Sequence, residues 1–288
     1  MKRVLLLLAT NFAILFVASI TLRLLGLEPW LNANGINFSS LLVVGAVLGF
    51  GGAFVSLAIS KWVAKRMMGV RLIEQPRGEQ DMWLVETVRR LASQAGIGMP
   101  EVGVFDSPSP NAFATGARRD AALVAVSSGL LQRMNRREVE AVLGHEVTHV
   151  ANGDMVTLTL IQGVLNTFVF FLSRVVGSII DKAVFRSERG TGPGYWITVM
   201  VLQFVFGIAA AMIVAWFSRW REFRADRGSA SLLGSPNSMI AALSRLGGLQ
   251  TAELPPQLKS FGIAGGIGSL LASHPPIEQR IAALQARA

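Results

Sequence analysis

His145 and His149 stand four residues apart, with Glu146 directly after the first, in the run Gly144-His145-Glu146-Val147-Thr148-His149. On a helix, positions i and i+4 lie one above the other on a single face, so both imidazoles can offer a nitrogen to one metal ion. Glu146 sits about 100° round the helix from His145, where its carboxylate reaches a water molecule beside that metal. H-E-x-x-H on a helix is the pattern of a zinc hydrolase: two ligands and a general base. The chain holds 3 His, and two of them fall here.

A hydrolytic zinc needs a third protein ligand and an open fourth position for water. With no Cys in the chain, that ligand must be His, Asp or Glu. A metzincin continuation would require Gly and His three and six residues after His149, where this sequence has Asn152 and Met155, so that class is excluded. The remaining candidates are His274, Glu222, Asp226 and Asp154. Glu222 and Asp226 are four apart in Arg221-Glu222-Phe223-Arg224-Ala225-Asp226. A Glu ligand followed one turn later by an Asp that orients a ligand imidazole from behind is the gluzincin arrangement. Alone, Glu222 would read as a surface partner of Arg221 or Arg224. Beside the His145 motif, the ligand reading is preferred, since zinc must be completed by something. His274, read from its surroundings alone, is a loop residue capping the last helix.

The elements that position these groups are largely apolar. Of 288 residues, 51% are hydrophobic and 16% charged, and the mean hydropathy is +0.48. Those values point to an integral membrane protein. The net charge of +9 fits basic loops beside anionic headgroups, and no nucleic-acid-binding module accompanies it. Apolar runs at about 4–22, 41–59, 155–173 and 195–217 are each long enough to span a bilayer. The first is read as an uncleaved anchor, being longer than a signal core and followed at once by a second span. Gly45 and Gly49 form a small-xxx-small pair suited to close helix approach. Lys2 and Arg3 before the first hairpin, and Lys61, Lys65, Arg66 and Arg71 after it, place both its outer ends in the cytoplasm. The basic loop at 182–189 fits poorly on the far side, so a re-entrant second hairpin stays open. Thr159, Gln162 and Asn166 share one side of the third run and are expected to hydrogen-bond between helices.

The intervening chain is soluble in character. A helix over 80–95 ends at Gly96, and strands are expected at 101–105, 111–115 and 122–127. Asn135 with Glu138 is a capping box opening the motif helix, which runs to about 152 and breaks at Gly153. Ser235 as N-cap and Pro236 at the first helical position open a helix to about 246. A glycine-rich loop covers 262–268, and an amphipathic helix over 277–286 closes the chain. The expected fold class is therefore a mainly α integral membrane protein. It has four hydrophobic helices plus a cytoplasmic zincin-like α+β metalloprotease domain with a small sheet. Its divisions are 1–60, an N-terminal hairpin; 61–154, the first part of the catalytic domain; 155–217, a second hydrophobic hairpin; and 218–288, the second part, with the third ligand. His149 is six residues before Met155 and Glu222 five after Phe217, each within roughly 10 Å of a span at about 1.5 Å per residue. The expected site lies just above the bilayer surface.

Taken together, the two N-terminal spans, Asn111-Ala112-Phe113-Ala114-Thr115-Gly116, the His145 motif, the hairpin, the Glu222–Asp226 pair and Ser273-His274-Pro275 resemble the membrane-bound heat-shock zinc proteases of bacteria. These are gluzincins, a family that includes the CAAX prenyl proteases, and the resemblance covers essentially the whole chain. It implies one Zn2+ per chain, held by His145, His149 and Glu222, with Glu146 as general base and Asp226 behind the ligands. It further implies that Asn111, Ala112, Phe113, Ala114 and Thr115 pair with substrate backbone, and that His274 lies near the scissile carbonyl. The implied role is degradation of misfolded membrane proteins in the stress response at the cell inner membrane. The implied partners are membrane-protein or unfolded polypeptides and the lipid bilayer, with other membrane quality-control proteases as candidates and no nucleic acid. Two alternatives stand beside it: a processing protease for one dedicated or lipidated substrate, and a non-catalytic membrane scaffold with a structural zinc site.

Overall fold

A computed structural model describes residues 37–186, 192–253 and 272–286, together with Ile20, Arg23, Leu24, Gly26 and Asn32. The expected first span at 4–22 and the glycine-rich 262–268 loop lie outside the described residues. The chain divides into two compact units, one formed by Met1–Ser56 and Val156–Val214, the other by Leu57–Met155 and Ala215–Ala288.

Three helices among the described residues are long and apolar enough to cross a membrane. They are α1 (Phe38–Met67), α5 (Asp154–Ala183) and α6 (Pro193–Leu233), numbered with the shorter helices of the second unit. In the first unit α1 meets α5 at the expected glycines. A methyl at Gly49 would fall 2.5 Å from Thr167 Oγ1 and 2.7 Å from its amide nitrogen, so only glycine permits this approach. One turn earlier Gly45 faces Phe170, and Phe38 closes the contact edge-on to Phe171 with centroids 5.4 Å apart. Gln162 and Asn166 bond to one another along α5 at 3.4 Å, within one helix. Helix α5 also outruns the span expected to stop before Arg174. The Arg174 guanidinium lies 3.4 Å from the centre of the Phe170 ring and donates to the Phe170 carbonyl, so its charge is accommodated without breaking the helix.

The second unit is built on a four-stranded sheet of β1 (Arg71–Leu72), β2 (Glu101–Phe105), β3 (Ala112–Thr115) and β4 (Leu123–Ser127), in the order β1-β2-β4-β3. Central β4 runs parallel to β2 and antiparallel to β3. Every residue of β4 is buried, which is why Leu123-Val124-Ala125-Val126 reads as a continuous apolar run. β1 is two residues long, too short to show alternation in the sequence.

Helix α2 (Gly78–Gln94) and helix α4 (Arg136–Asn152) pack on this sheet, with the short α3 (Ser128–Arg133) between β4 and α4. Leu84, Val88 and Leu91 of α2 join Val139, Leu143 and Val147 of α4 in one core. The capping box forms as expected: the Asn135 N–H donates to Glu138 Oε2 at 2.9 Å and the Glu138 N–H to Asn135 Oδ1 at 3.0 Å. Gly153 ends the helix in the left-handed region at φ 69°. Helix α7 (Asn237–Glu253) runs past the expected stop near 246, through Gly247-Gly248. Gly247 faces Ile277 of the last helix, α8 (Ile277–Gln285), where a methyl would sit 3.5 Å away.

The approach of α4 to the C-terminal turns of α6 is set by two small residues. A methyl at Gly144 would lie 2.8 Å from Ser229 Oγ, and one at Gly228 would lie 2.2 Å from Thr148 Cγ2. Ser229 Oγ donates to the Ala141 carbonyl at 2.7 Å. Gly228→Ala is therefore expected to lower unfolding stability by about 1–3 kcal/mol, the usual cost of overpacking. Chemical denaturation of Gly228→Ala, alone and with Thr148→Ala, checks this: the second change should recover part of the loss.

Candidate active site

Helix α4 holds His145 and His149, each 6% exposed, while Val147 and Val150 on its other side pack into the hydrophobic core. Helix α6 delivers Glu222, 2% exposed, from the other side of the crossing. The His145 and His149 Nε2 atoms are 3.1 Å apart. Glu222 Oε1 lies 3.2 Å from His149 Nε2, and Oε2 lies 3.4 Å from His145 Nε2. The three residues form a group able to hold one metal ion. A tetrahedral ion with bonds of about 2.0–2.1 Å has ligand–ligand edges of about 3.3–3.4 Å. The imidazole–imidazole distance and each imidazole–carboxylate distance, the latter to different Glu222 oxygens, are close to such an edge, and one ligand atom from each residue lies within 4.8 Å of the others. The residues present fit the metal.

Behind each imidazole stands a carboxylate, and behind each carboxylate an arginine. His145 Nδ1 lies 2.9 Å from Asp226 Oδ1. Arg280 of α8 grips Asp226 with two bonds of 2.6 and 2.8 Å. His149 Nδ1 lies 2.7 Å from Asp154 Oδ2. The other Asp154 oxygen pairs with Arg224, and Arg221 donates to the Asp154 carbonyl at 3.2 Å. Asp154, one of the four candidates for the third ligand, therefore serves from behind the imidazole instead. The left-handed turn at Gly153 brings it back over His149. Arg280 carried no expectation. Its trace was positional: it shares the buried stripe of the final helix with Leu284, where an arginine is costly unless paired.

Four carboxylates, those of Glu146, Asp154, Glu222 and Asp226, thus share this region with the paired guanidiniums of Arg224 and Arg280. Burial disfavours a charged His145, but Asp226 and Glu222 outweigh it and raise its pKa to about 10. Burial likewise opposes charge on His149, and Asp154 with Glu222 raises it nonetheless. The cluster draws positive charge to its centre, which is what a site for a divalent cation must do. Glu146 is displaced in the opposite sense: burial raises its pKa, and the nearby imidazoles only partly offset this. That is the direction required of a carboxylate that must collect a proton.

The other expected residues converge on the same place. His274 Nδ1 lies 2.8 Å from Glu222 Oε2 while its side chain stays 65% exposed. β3 is an edge strand. The Ser127 N–H donates to the Asn111 carbonyl at 2.8 Å, so Asn111, and by alternation Phe113 and Thr115, turn their backbone groups toward β4. Ala112 and Ala114 turn theirs to the open edge, and the Ala114 backbone favours the charged form of the Glu146 carboxylate. Asn111 itself precedes the strand and is pinned by Ser127, its N–H donating to Ser127 Oγ at 2.9 Å.

Comparison with known proteins agrees with this geometry. The model of Peptidase family M48 matches residues 78–288. The chain is 60% identical over 290 residues to a "Protease HtpX homolog" of Thiobacillus denitrificans, covering 99% of both chains. It is also 60% identical over 293 residues to "Protease HtpX" of Thioalkalivibrio sulfidiphilus, again over 99% of each. Its fold is similar to the crystal structure of S. mikatae Ste24p, with TM-score 0.62, covering 94% of this chain and 67% of that one at 19% identity.

Partners behind a metal-ligating imidazole commonly alter metal affinity by about 10- to 100-fold. Asp154→Asn keeps the side-chain shape but removes the charge that holds His149 and Arg224. Its metal affinity, titrated against a chelator, is expected to fall within that range.

Proposed function

The chain belongs to peptidase family M48 and is a membrane-bound metalloprotease, and from that premise we propose a zinc endopeptidase that cleaves misfolded or damaged membrane proteins at the cytoplasmic membrane surface. Membership of a protease family removes the scaffold alternative. The observation that carries the proposal is the convergence of His145, His149 and Glu222 into a group able to hold one ion, with Glu146 on the helix that carries both His145 and His149. In this reading His145, His149 and Glu222 hold the ion, while Asp226 and Asp154 fix the imidazoles with their Nε2 atoms inward. Zinc bound there supplies Lewis acidity, lowering the pKa of a water molecule and polarising the scissile carbonyl.

The protein's own groups do the rest. Glu146 takes a proton from the attacking water and passes it to the leaving amine. His274, with Nδ1 engaged by Glu222, has Nε2 left to donate to the oxygen on which negative charge develops. An extended substrate segment adds to the outer edge of β3, pairing with the backbone of Ala112 and Ala114. Backbone pairing asks little of side-chain sequence, as a quality-control substrate range requires.

The proposed division makes 61–154 and 218–288 the catalytic domain and 1–60 and 155–217 hydrophobic hairpins. The two compact units, whose boundaries fall within five residues of those limits, support it. Lys61, Lys65, Arg66 and Arg71 follow the apolar part of α1 and support a cytoplasmic catalytic domain in the inner membrane. Substrates that are membrane-embedded or unfolded fit ligand-bearing positions so close in sequence to the apolar runs.

Glu146→Gln is expected to abolish cleavage of casein or a membrane substrate while zinc content stays at one per chain. Wild-type cleavage by Glu146→Gln would sink the protease mechanism. Glu222→Ala is expected to lose zinc on dialysis, and unchanged zinc affinity would remove Glu222 from the ligand set.

A further inference from the structure

We propose that Arg219 is a positioning residue for His274, tethering the backbone that carries the imidazole; this rests on the role for His274 given above.

Arg219, Glu222 and Asp226 fall at i, i+3 and i+7 of α6, on one helical face. Each is tied to the C-terminal segment, and the ties rise together along both stretches. Arg219 Nη1 donates to the Ala272 carbonyl at 2.8 Å. Glu222 Oε2 meets His274 Nδ1 at 2.8 Å. Asp226 takes the two bonds from Arg280. The last two rungs already have work to do, at the metal and behind His145. The first is a bond to backbone, and it completes the same ladder.

Its physical task follows from what flanks His274. On the C-terminal side, Pro275 is buried and Pro276 leads into α8, so two fixed φ angles and a helix hold the chain. His274 itself, preceding a proline, is biased to extended backbone. The ring itself is largely exposed. A charge-assisted bond from Arg219 to the Ala272 carbonyl, two residues before His274, supplies a fixed point on the N-terminal side. With both sides held, the imidazole is set over Glu222 before substrate arrives rather than ordered during the reaction. Losing that pre-organisation costs rate, not metal.

The test uses the full chain in lipid nanodiscs with zinc and a fluorogenic peptide, comparing wild type, Arg219→Ala, Arg219→Lys, His274→Ala and the Arg219→Ala/His274→Ala double variant. Arg219→Ala should lower kcat by about 10- to 100-fold, with KM, zinc affinity and Tm unchanged, and Arg219→Lys should recover part of it. In the His274→Ala background, Arg219→Ala should cause no further loss. Amide exchange at 273–274 should speed up in Arg219→Ala. Equal losses from Arg219→Ala in both backgrounds, a wild-type kcat, or a parallel fall in zinc affinity would overturn the tether. Wild-type kcat in His274→Ala would instead overturn the role of His274, and faster exchange in Arg219→Ala would still register the tether separately.

Discussion

The structure of the second unit depends on keeping two imidazoles aimed inward at one point while four carboxylates are buried around them. Neither is favourable alone. An unpaired buried carboxylate is strongly penalised, and removing one partner of a buried ion pair commonly costs about 3–5 kcal/mol. The solution is a repeated relay of imidazole, carboxylate and guanidinium: His145 to Asp226 to Arg280, and His149 to Asp154 to Arg224. Each arginine neutralises an aspartate, each aspartate fixes one ring nitrogen, and the opposite nitrogen is thereby presented to the metal position. Charge that looks excessive around the imidazoles is balanced once a dication occupies the centre.

That relay explains why distant segments must meet. Its members come from α4, the first residue of α5, the end of α6 and α8, so a single centre ties four helices together. Helix α4 cannot approach α6 unless Gly144 and Gly228 leave room, and it cannot present Asp154 unless it ends abruptly at Gly153. Backbone choices that look like local punctuation are therefore conditions on the chemistry. The family relationship follows the same logic, since its matched region, 78–288, contains every member of the relay.

How much of this the sequence disclosed depends on the range of each interaction. His145 and His149 are one turn apart on a helix with its own capping box, so motif and start signal were both local and legible. Glu222 and Asp226 were legible as a pair because the gluzincin spacing is again one helical turn. Asp154 was weighed only as a ligand: its place behind His149 needs the left-handed geometry of Gly153, which composition does not state. Arg280 acts across 54 residues of chain, and nothing local to α8 marks its partner. Two helix ends also differ from expectation. Helix α5 passes Arg174 because Phe170 receives the guanidinium, and α7 passes Gly247 because Ile277 packs there. A pair one helical turn apart within α5 and a tertiary contact at α7 carried the two helices past those stops.

The edge strand carries the argument one step further. Ser60 of α1 and Thr115 of β3 are joined through their hydroxyls at 3.1 Å, and Lys61 donates to the Ala121 carbonyl at 2.8 Å. Lys61 and Lys65 both pair with Glu101 at the start of β2. Burial alone would raise the Glu101 pKa, yet the two ammonium groups lower it. Glu101, Thr115 and Ala121 all lie at one end of the sheet, because β2 and β4 begin where β3 finishes. Basic residues that the positive-inside rule assigns to the lipid surface thus have a second use, fixing the last turns of α1 to that end. Thr115 is one residue from Ala114, whose backbone favours the charged form of Glu146. The helix that leaves the apolar segment and the carboxylate proposed as general base are therefore separated along β3 by a single peptide unit. The last turns of α1 thus help to fix β3, whose open edge carries Ala112 and Ala114, in place.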